Sequence, residues 1–264
     1  MFNLFIKPAV RVKNPFNDAP IFYMDTVSST MDVCRELERE NVPHGTVIVA
    51  DFQEKGRGRA GRSWQANGGE NLIFTVLLRF GDFSAIPTAL TLKTGLAAAL
   101  AVEDFVALFC ERGNLSCMVK WPNDLMFDSK KIAGILAESD GKNVFIGIGV
   151  NVGQTVFPTE LREKAGSLAL TTGMADVVKS ARFRLLELIL GRLQQELSAK
   201  DWRERLLGRL YKRGEAVRFI VGRADSDVTV EGVLVGVRED GGLLVLPHGA
   251  EGPSVFVTGE LDVY

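Results

Sequence analysis

From residue 21 onward the chain alternates short apolar runs with polar, glycine-bearing stretches, and the period of each run predicts its structure. Ile21-Phe22-Tyr23-Met24 has a strand pattern. Ser28 or Ser29 then caps a helix running to about Glu40, with Asp32 in its first turn. Thr46-Val47-Ile48-Val49-Ala50 and residues 72–80 predict two further strands, apolar enough to be buried. The alanine- and leucine-rich stretch 86–112 predicts a long helix stopped by Gly113. Residues 118–121 and 125–127 predict a short strand pair across Pro122-Asn123-Asp124. Residues 131–138 and 143–152 form a hairpin pattern joined by Ser139-Asp140-Gly141-Lys142. Residues 177–213 read as two helices broken near Ala199-Lys200-Asp201.

After Gly214 the character changes. Segments 216–221, 227–237, 243–246 and 254–258 are β-rich and alternate with Gly-Gly and Pro-bearing turns, which predicts a small barrel of about 50 residues. The boundary falls near Arg213, giving domains 1–213 and 214–264. In the first, strands joined by hairpins alongside helices predict an α+β unit with a mixed, mostly antiparallel sheet and not a doubly wound one.

Composition narrows the function classes. With 264 residues and 46% hydrophobic content the chain can bury a full core and carry a small appendage. No apolar run approaches the roughly 18–20 residues of a membrane span; residues 86–109 are cut by Lys93, Glu103 and Asp104. The apolar patch at residues 1–7 is too short for a signal peptide and has no basic segment before it, so a cytoplasmic protein without a membrane partner is expected. A formal net charge of −2, with both signs mixed along the chain, argues against nucleic acid as the main partner. Cys34, Cys110 and Cys117 cannot all pair, and none has metal-ligand spacing with His44 or His248. Reduced, structural cysteines follow.

Against that neutral background one loop stands out. Gly56-Arg57-Gly58-Arg59-Ala60-Gly61-Arg62-Ser63-Trp64 packs three glycines and three arginines into seven residues and closes on a tryptophan. Glycine admits close backbone approach to a ligand, and each guanidinium is a permanently charged fork suited to carboxylate or phosphate. The spacing also satisfies G-x-G-x-x-G and approximates a Walker A pattern with Arg62 in the lysine position. Both motifs require a helix straight after the glycines, and Ser63-Trp64-Gln65-Ala66-Asn67-Gly68-Gly69 would not nucleate one. The loop reads as a local anion trap.

Three more blocks follow in order: Lys120-Trp121-Pro122-Asn123-Asp124-Leu125, Lys130-Lys131-Ile132-Ala133-Gly134-Ile135-Leu136-Ala137-Glu138, and Gly147-Ile148-Gly149-Val150-Asn151. With the arginine loop, with Ser28-Ser29-Thr30 and with Gln53, they resemble the signature blocks of biotin protein ligases from about residue 22 to 151, and more weakly to the C-terminus. The resemblance implies a class II aminoacyl-tRNA-synthetase-like catalytic domain and an SH3-like β-barrel C-terminal domain. It implies biotin and ATP as substrates with Mg2+, and biotinyl-5′-AMP formed and then passed to a lysine of a biotin carboxyl carrier protein domain of a carboxylase. Relatives that double as repressors carry an N-terminal helix-turn-helix domain; about 20 residues precede the first strand here, too few for one. A homodimer is compatible with the pattern. The competing readings are a lipoate-protein ligase, which shares fold and chemistry, and an inactive adenylate-binding paralogue.

Joining a carboxylate to a triphosphate demands fixed positive charge. Strand alternation sends Lys130 and Lys131 to opposite faces, and the apolar run after Lys131 selects it as the amine held on the sheet, with Lys130 a solvated turn residue. The family match implies the same choice. Lys131 and Arg59 are therefore the expected catalytic groups. For biotin, the resemblance implies Ser29, Thr30, Gln53, Arg57, Gly58, Arg59, Lys131, Gly134, Gly147 and Gly149. For ATP it implies Arg59, Arg62, Trp64, Asn123, Lys131 and Asn151, with Trp64 covering adenine and the two asparagine amides reading its edge. Asp124 is expected either to bind magnesium or to orient Lys131. Trp121 is expected to pack beside the site. Met31 departs from the asparagine often found at its position in the family. The long, self-repelling loop is expected to be mobile until a ligand orders it.

Overall fold

The computed structural model describes residues 12–110, 115–222 and 226–262. The expected helix stop at Gly113 and the apolar patch at residues 1–7 lie outside them.

Seven strands make the first sheet: β1 (Ile21–Val27), β2 (Val47–Gln53), β3 (Leu72–Arg79), β4 (Met118–Lys120), β5 (Asp124–Phe127), β6 (Lys130–Ser139) and β7 (Asn143–Val150), ordered β1-β2-β3-β7-β6-β5-β4. Only β1 and β2 pair parallel. A parallel pair needs a crossover, which α1 (Thr30–Arg39) provides. On one face Met31, Cys34 and Leu37 of α1 pack on Ile48, Leu77 and Phe145. The opposite face is covered by α2 (Leu90–Ala107) and α5 (Arg182–Ser198), which with the sheet enclose the main core.

Two sequence expectations change at α2. The helix spans Leu90–Ala107 and not 86–112; Asp82 instead caps a separate 3-10 turn at Phe83–Ala85, and Ala89, at φ +55°, breaks the continuity. Contrary to the expectation that no run approaches a membrane span, Phe83–Ala107 is long and apolar enough for one. Burial explains that composition: Leu96, Ala97, Ala98, Ala99, Ala101, Val102 and Phe105 have no solvent exposure. Farther on, residues 177–213 hold α4 (Ala175–Ser180), α5 and α6 (Trp202–Leu207), so a break at Ala181 joins the expected one near 199–201. The one-turn helix α3 (Leu168–Thr172), capped by Ser167, is too short to have shown a period.

The second sheet is antiparallel throughout, with β8 (Ala216–Val221), β9 (Thr229–Val237), β10 (Leu243–Pro247), β11 (Ser254–Phe256) and β12 (Gly259–Asp262) ordered β11-β10-β9-β8-β12. The sequence pattern had not separated β12. Trp121 fastens this sheet to the first: its Nε1 donates to the Gly241 carbonyl at 3.0 Å, and its ring lies 5.7 Å from that of Phe219.

Candidate functional site

The open part of the sheet beside α1 floors a cavity of about 660 Å³. Its walls are the N-terminus of α1, the glycine-arginine loop, the Lys120–Asp124 turn and residues 157–165, and Glu260 of β12 closes one side.

At the α1 end the cavity is polar but sealed. Ser29 caps the helix, its Oγ accepting from the Met31 amide at 3.3 Å. The Thr30 amide and hydroxyl both donate to Gln53 Oε1, at 2.8 and 3.0 Å, and the Thr30 hydroxyl lies 2.9 Å from that of Thr75. Thr75 is fully buried. Sequence reasoning missed it because it sits inside an apolar run; a lone hydroxyl there was the one available signal.

The floor is flat because two glycines pair across it. Gly134 on β6 lies opposite Gly149 on β7, and the Trp64 indole rests on both. A Cβ at Gly149 would come within 2.5 Å of the indole Cε2. Trp64 Nε1 is buried without a partner among the described residues. Gly147 faces Met31 and Thr75 instead, so the two β7 glycines serve different parts of the cavity.

The cationic end is built by β5 and β6. Lys131 Nζ lies 2.8 Å from Asp124 Oδ1, while Lys130 leads away and donates to the Arg162 carbonyl at 3.2 Å. Backbone hydrogen bonds from Lys131 N to Lys164 O and from Gly166 N to Lys131 O hold that stretch of β6 in place. Lys120, which sequence reasoning assigned no role, is buried in the same wall; burial lowers its pKa, opposed by the charges of Asp124 and Glu260.

The loop is a closed turn. Trp64 N donates to Gly56 O and Gly58 N to Arg62 O, while Ala60 and Gly61 at positive φ form the tip. Only glycine fits at position 56, where a Cβ would sit 2.6 Å from the Trp64 carbonyl oxygen. Each arginine has a protein acceptor. Arg57 forks onto Asp32 at 2.7 and 3.1 Å, Arg59 donates to Asn123 Oδ1 at 3.2 Å, and Arg62 forks onto Glu260 at 2.8 and 3.1 Å. Burial lowers the pKa of Arg59, and the hydrogen bonds to Glu260 raise that of Arg62. The counter-charge that the sequence reading assigned to a ligand is thus supplied in part by Asp32 and Glu260.

All the expected site residues line this one cavity, with different commitments. Asn123 accepts from Arg59 and donates to the Ile135 carbonyl at 2.9 Å, so it positions Arg59 and keeps one amide hydrogen and one oxygen lone pair uncommitted by these two bonds. Asn151 donates to the Gly166 carbonyl and keeps a buried Oδ1 that has no partner among the described residues. Asp124 meets Lys131, in line with the orienting half of its expected role.

Residues 23–154 match the model of the Biotin/lipoate A/B protein ligase family. The chain belongs to this family. Within it the similarity is to biotin ligases. A biotin–[acetyl-CoA-carboxylase] ligase of Paracoccus denitrificans is 32% identical over 81% of this chain and 88% of its own length. The bifunctional ligase/repressor BirA of Bacillus subtilis is 38% identical over 58% of this chain and 47% of its own, so the chain spans about half the length of this and similar curated relatives that it matches. The solved biotin protein ligase from Aquifex aeolicus in complex with biotin and ATP superposes with a TM-score of 0.75 at 31% identity, covering 92% of this chain and 97% of that one. The mixed first sheet therefore has the fold of known biotin ligases.

Proposed function

We propose that the protein activates biotin with ATP to biotinyl-5′-AMP and transfers the biotinyl group to a lysine of a biotin carboxyl carrier domain. The observation that carries this reading is one cavity with a sealed polar recess at one end and Lys131, Arg59 and Arg62 at the other. Biotin's ureido ring fits the recess of Ser29, Thr30 and Gln53, which puts its carboxylate toward Arg59 and Lys131. Attack of that carboxylate on the α-phosphorus displaces pyrophosphate. Lys131 and Arg59 neutralise the charge that develops there, and Arg62 meets the outgoing phosphates. The carrier lysine then attacks the mixed anhydride, forming an amide and releasing AMP.

Adenine pairs with the free Asn151 Oδ1 through its amino group and lies beside Trp64, whose ring excludes water from the anhydride. Magnesium enters as part of the nucleotide substrate. Asp124, engaged by Lys131, orients that amine.

The same reading takes residues 1–213 as the catalytic unit, with a class II aminoacyl-tRNA-synthetase-like architecture. It takes residues 214–264 as an SH3-like barrel, and the cytoplasm as the site of action. A homodimer remains compatible with it. The Gly-Arg-Gly-Arg-x-Gly-Arg and Lys-Trp-Pro-Asn-Asp blocks favour biotin over lipoate, and the intact Lys131 and loop arginines speak against an inactive paralogue. Biotin should stimulate exchange of labelled pyrophosphate into ATP while lipoate should not. Exchange with lipoate alone would reverse the assignment, and exchange with neither would leave the inactive paralogue.

A further inference from the structure

The last strand of the second sheet reaches the cavity through one side chain. Glu260 on β12 grips Arg62 with both carboxylate oxygens, 198 residues apart in sequence. The grip uses one hydrogen on each terminal nitrogen of Arg62, and a guanidinium carries five. One hydrogen remains on each of those nitrogens, the two pointing to opposite edges of the planar group, so Arg62 can donate one of them to a phosphate oxygen without leaving Glu260. The Arg62 side chain is otherwise about half exposed, and its other hydrogen bond within the loop runs from Nε to the Arg59 carbonyl at 3.4 Å. An unheld arginine in that position would sample many rotamers. Although burial opposes it, the charges of Arg62, Lys120 and Lys131 keep Glu260 ionised, its pKa below the ordinary carboxylate value. The second sheet is itself held in place by Trp121, on the same Lys120–Asp124 turn that presents Asn123 to Arg59.

We propose that Glu260 is a positioning residue for the nucleotide, through which the C-terminal domain holds the Arg62 guanidinium where the phosphates of ATP bind. This rests on the biotin-ligase reading only for the identity of the nucleotide step. Glu260 acts on ATP through the Arg62 guanidinium that it grips with both oxygens, whereas it makes no hydrogen bond to the Ser29, Thr30 and Gln53 recess at the other end of the cavity.

The test is a double-mutant cycle on the full chain, read by biotin-dependent ATP–pyrophosphate exchange. Glu260→Ala should raise the KM for ATP roughly tenfold, the scale of one charge-assisted hydrogen-bonded pair. It should leave the KM for biotin within about twofold, and it should add nothing in an Arg62→Ala background. Glu260→Gln, which keeps the shape and one acceptor, should fall between parent and alanine. A second readout needs no catalysis: trypsin should cut after Arg62 faster in Glu260→Ala than in the parent, with cleavage after exposed Lys142 unchanged as the control for folding. Additive effects of the two substitutions, equal rises in both KM values, a lowered KM for ATP, or unchanged cleavage after Arg62 would each overturn the proposal. If the parent supports no exchange with biotin, the functional reading fails, and the proteolysis result alone decides whether Glu260 holds Arg62.

Discussion

Lys131 and Asp124 meet across adjacent strands, Nζ to Oδ1 at 2.8 Å, beside a register shift between Leu125 and Met126 where β5 pairs with β6. The contact separates two lysines that are neighbours in sequence. Lys131 is held in the cavity by a carboxylate, and Lys130 is spent on a carbonyl outside it.

Replacing Lys131 with alanine should therefore slow adenylate formation by about 10²–10³, as for loss of one preorganised donor at a developing charge. Lys130→Ala should change it by less than about threefold, the scale of an exposed contact. Single-turnover formation of biotinyl-adenylate measures both. Equal losses would refute the assignment of Lys131.

At Gly149 a methyl group would collide with the Trp64 indole, which has backbone on its own side of the loop and cannot retreat freely. Gly149→Ala should lift the indole off the floor, shift its fluorescence and raise the KM for ATP roughly tenfold, the consequence of a strain of 1–3 kcal/mol. Gly147→Ala is crowded by the flexible end of Met31, at 3.1 Å, with Leu136 O and Thr75 Oγ1 at an ordinary 3.6 Å, and should leave the fluorescence unchanged. An unshifted spectrum in Gly149→Ala would mean the indole does not rest there.

Those glycines also show what was legible in the chain. The arginine loop, the Lys120 block and Gly147-Ile148-Gly149 are each continuous in sequence, so their chemistry could be read locally, and the structure gathers them around one cavity. The hairpin of β6 and β7 was likewise set by a short turn, Asp140-Gly141-Lys142. Thr75, Lys120 and Glu260 were not legible as site residues, because their contributions depend on partners brought near only by the sheet and by the packing of the second domain. The commitment of Asn123 to Arg59 was hidden for the same reason, since those residues are 64 apart.

Burial predicts how the cysteines react. Cys34 has no solvent exposure, and its thiol is pushed up to about 12; burial raises Cys117 as well. A raised pKa keeps the thiol neutral, so at pH 8 the Cys34 thiolate fraction is ~10⁻⁴. Only half-buried Cys110 should label quickly with iodoacetamide in the native protein, with all three labelling in denaturant. Mass spectrometry after a short pulse at pH 8 reads this directly. Rapid native labelling of Cys34 would show that α1 opens from the sheet.

The last prediction separates making the adenylate from keeping it. Arg59 is half-buried, donates to Asn123 and stands beside the charges of Asp124 and Glu260, so it links the loop to the rigid wall of the cavity. Arg57 and Arg62 tie the same loop to more exposed partners at its edges. Losing Arg59 removes both a donor to the carboxyl–phosphate junction and the central tether, so the lid should still form adenylate but hold it poorly. Arg59→Gly should then release biotinyl-adenylate, which acylates lysines on any protein nearby, whereas Lys131→Ala should label nothing. A biotin blot of a bystander protein incubated with each variant, ATP and biotin distinguishes the two, with labelling above the parent for Arg59→Gly and, because adenylate formation is slowed about 10²–10³, none above background in a short incubation for Lys131→Ala. If Arg59→Gly consumes ATP yet labels the bystander no better than the parent, the tether does not retain the intermediate and the loop's hold must come from Arg57 and Arg62.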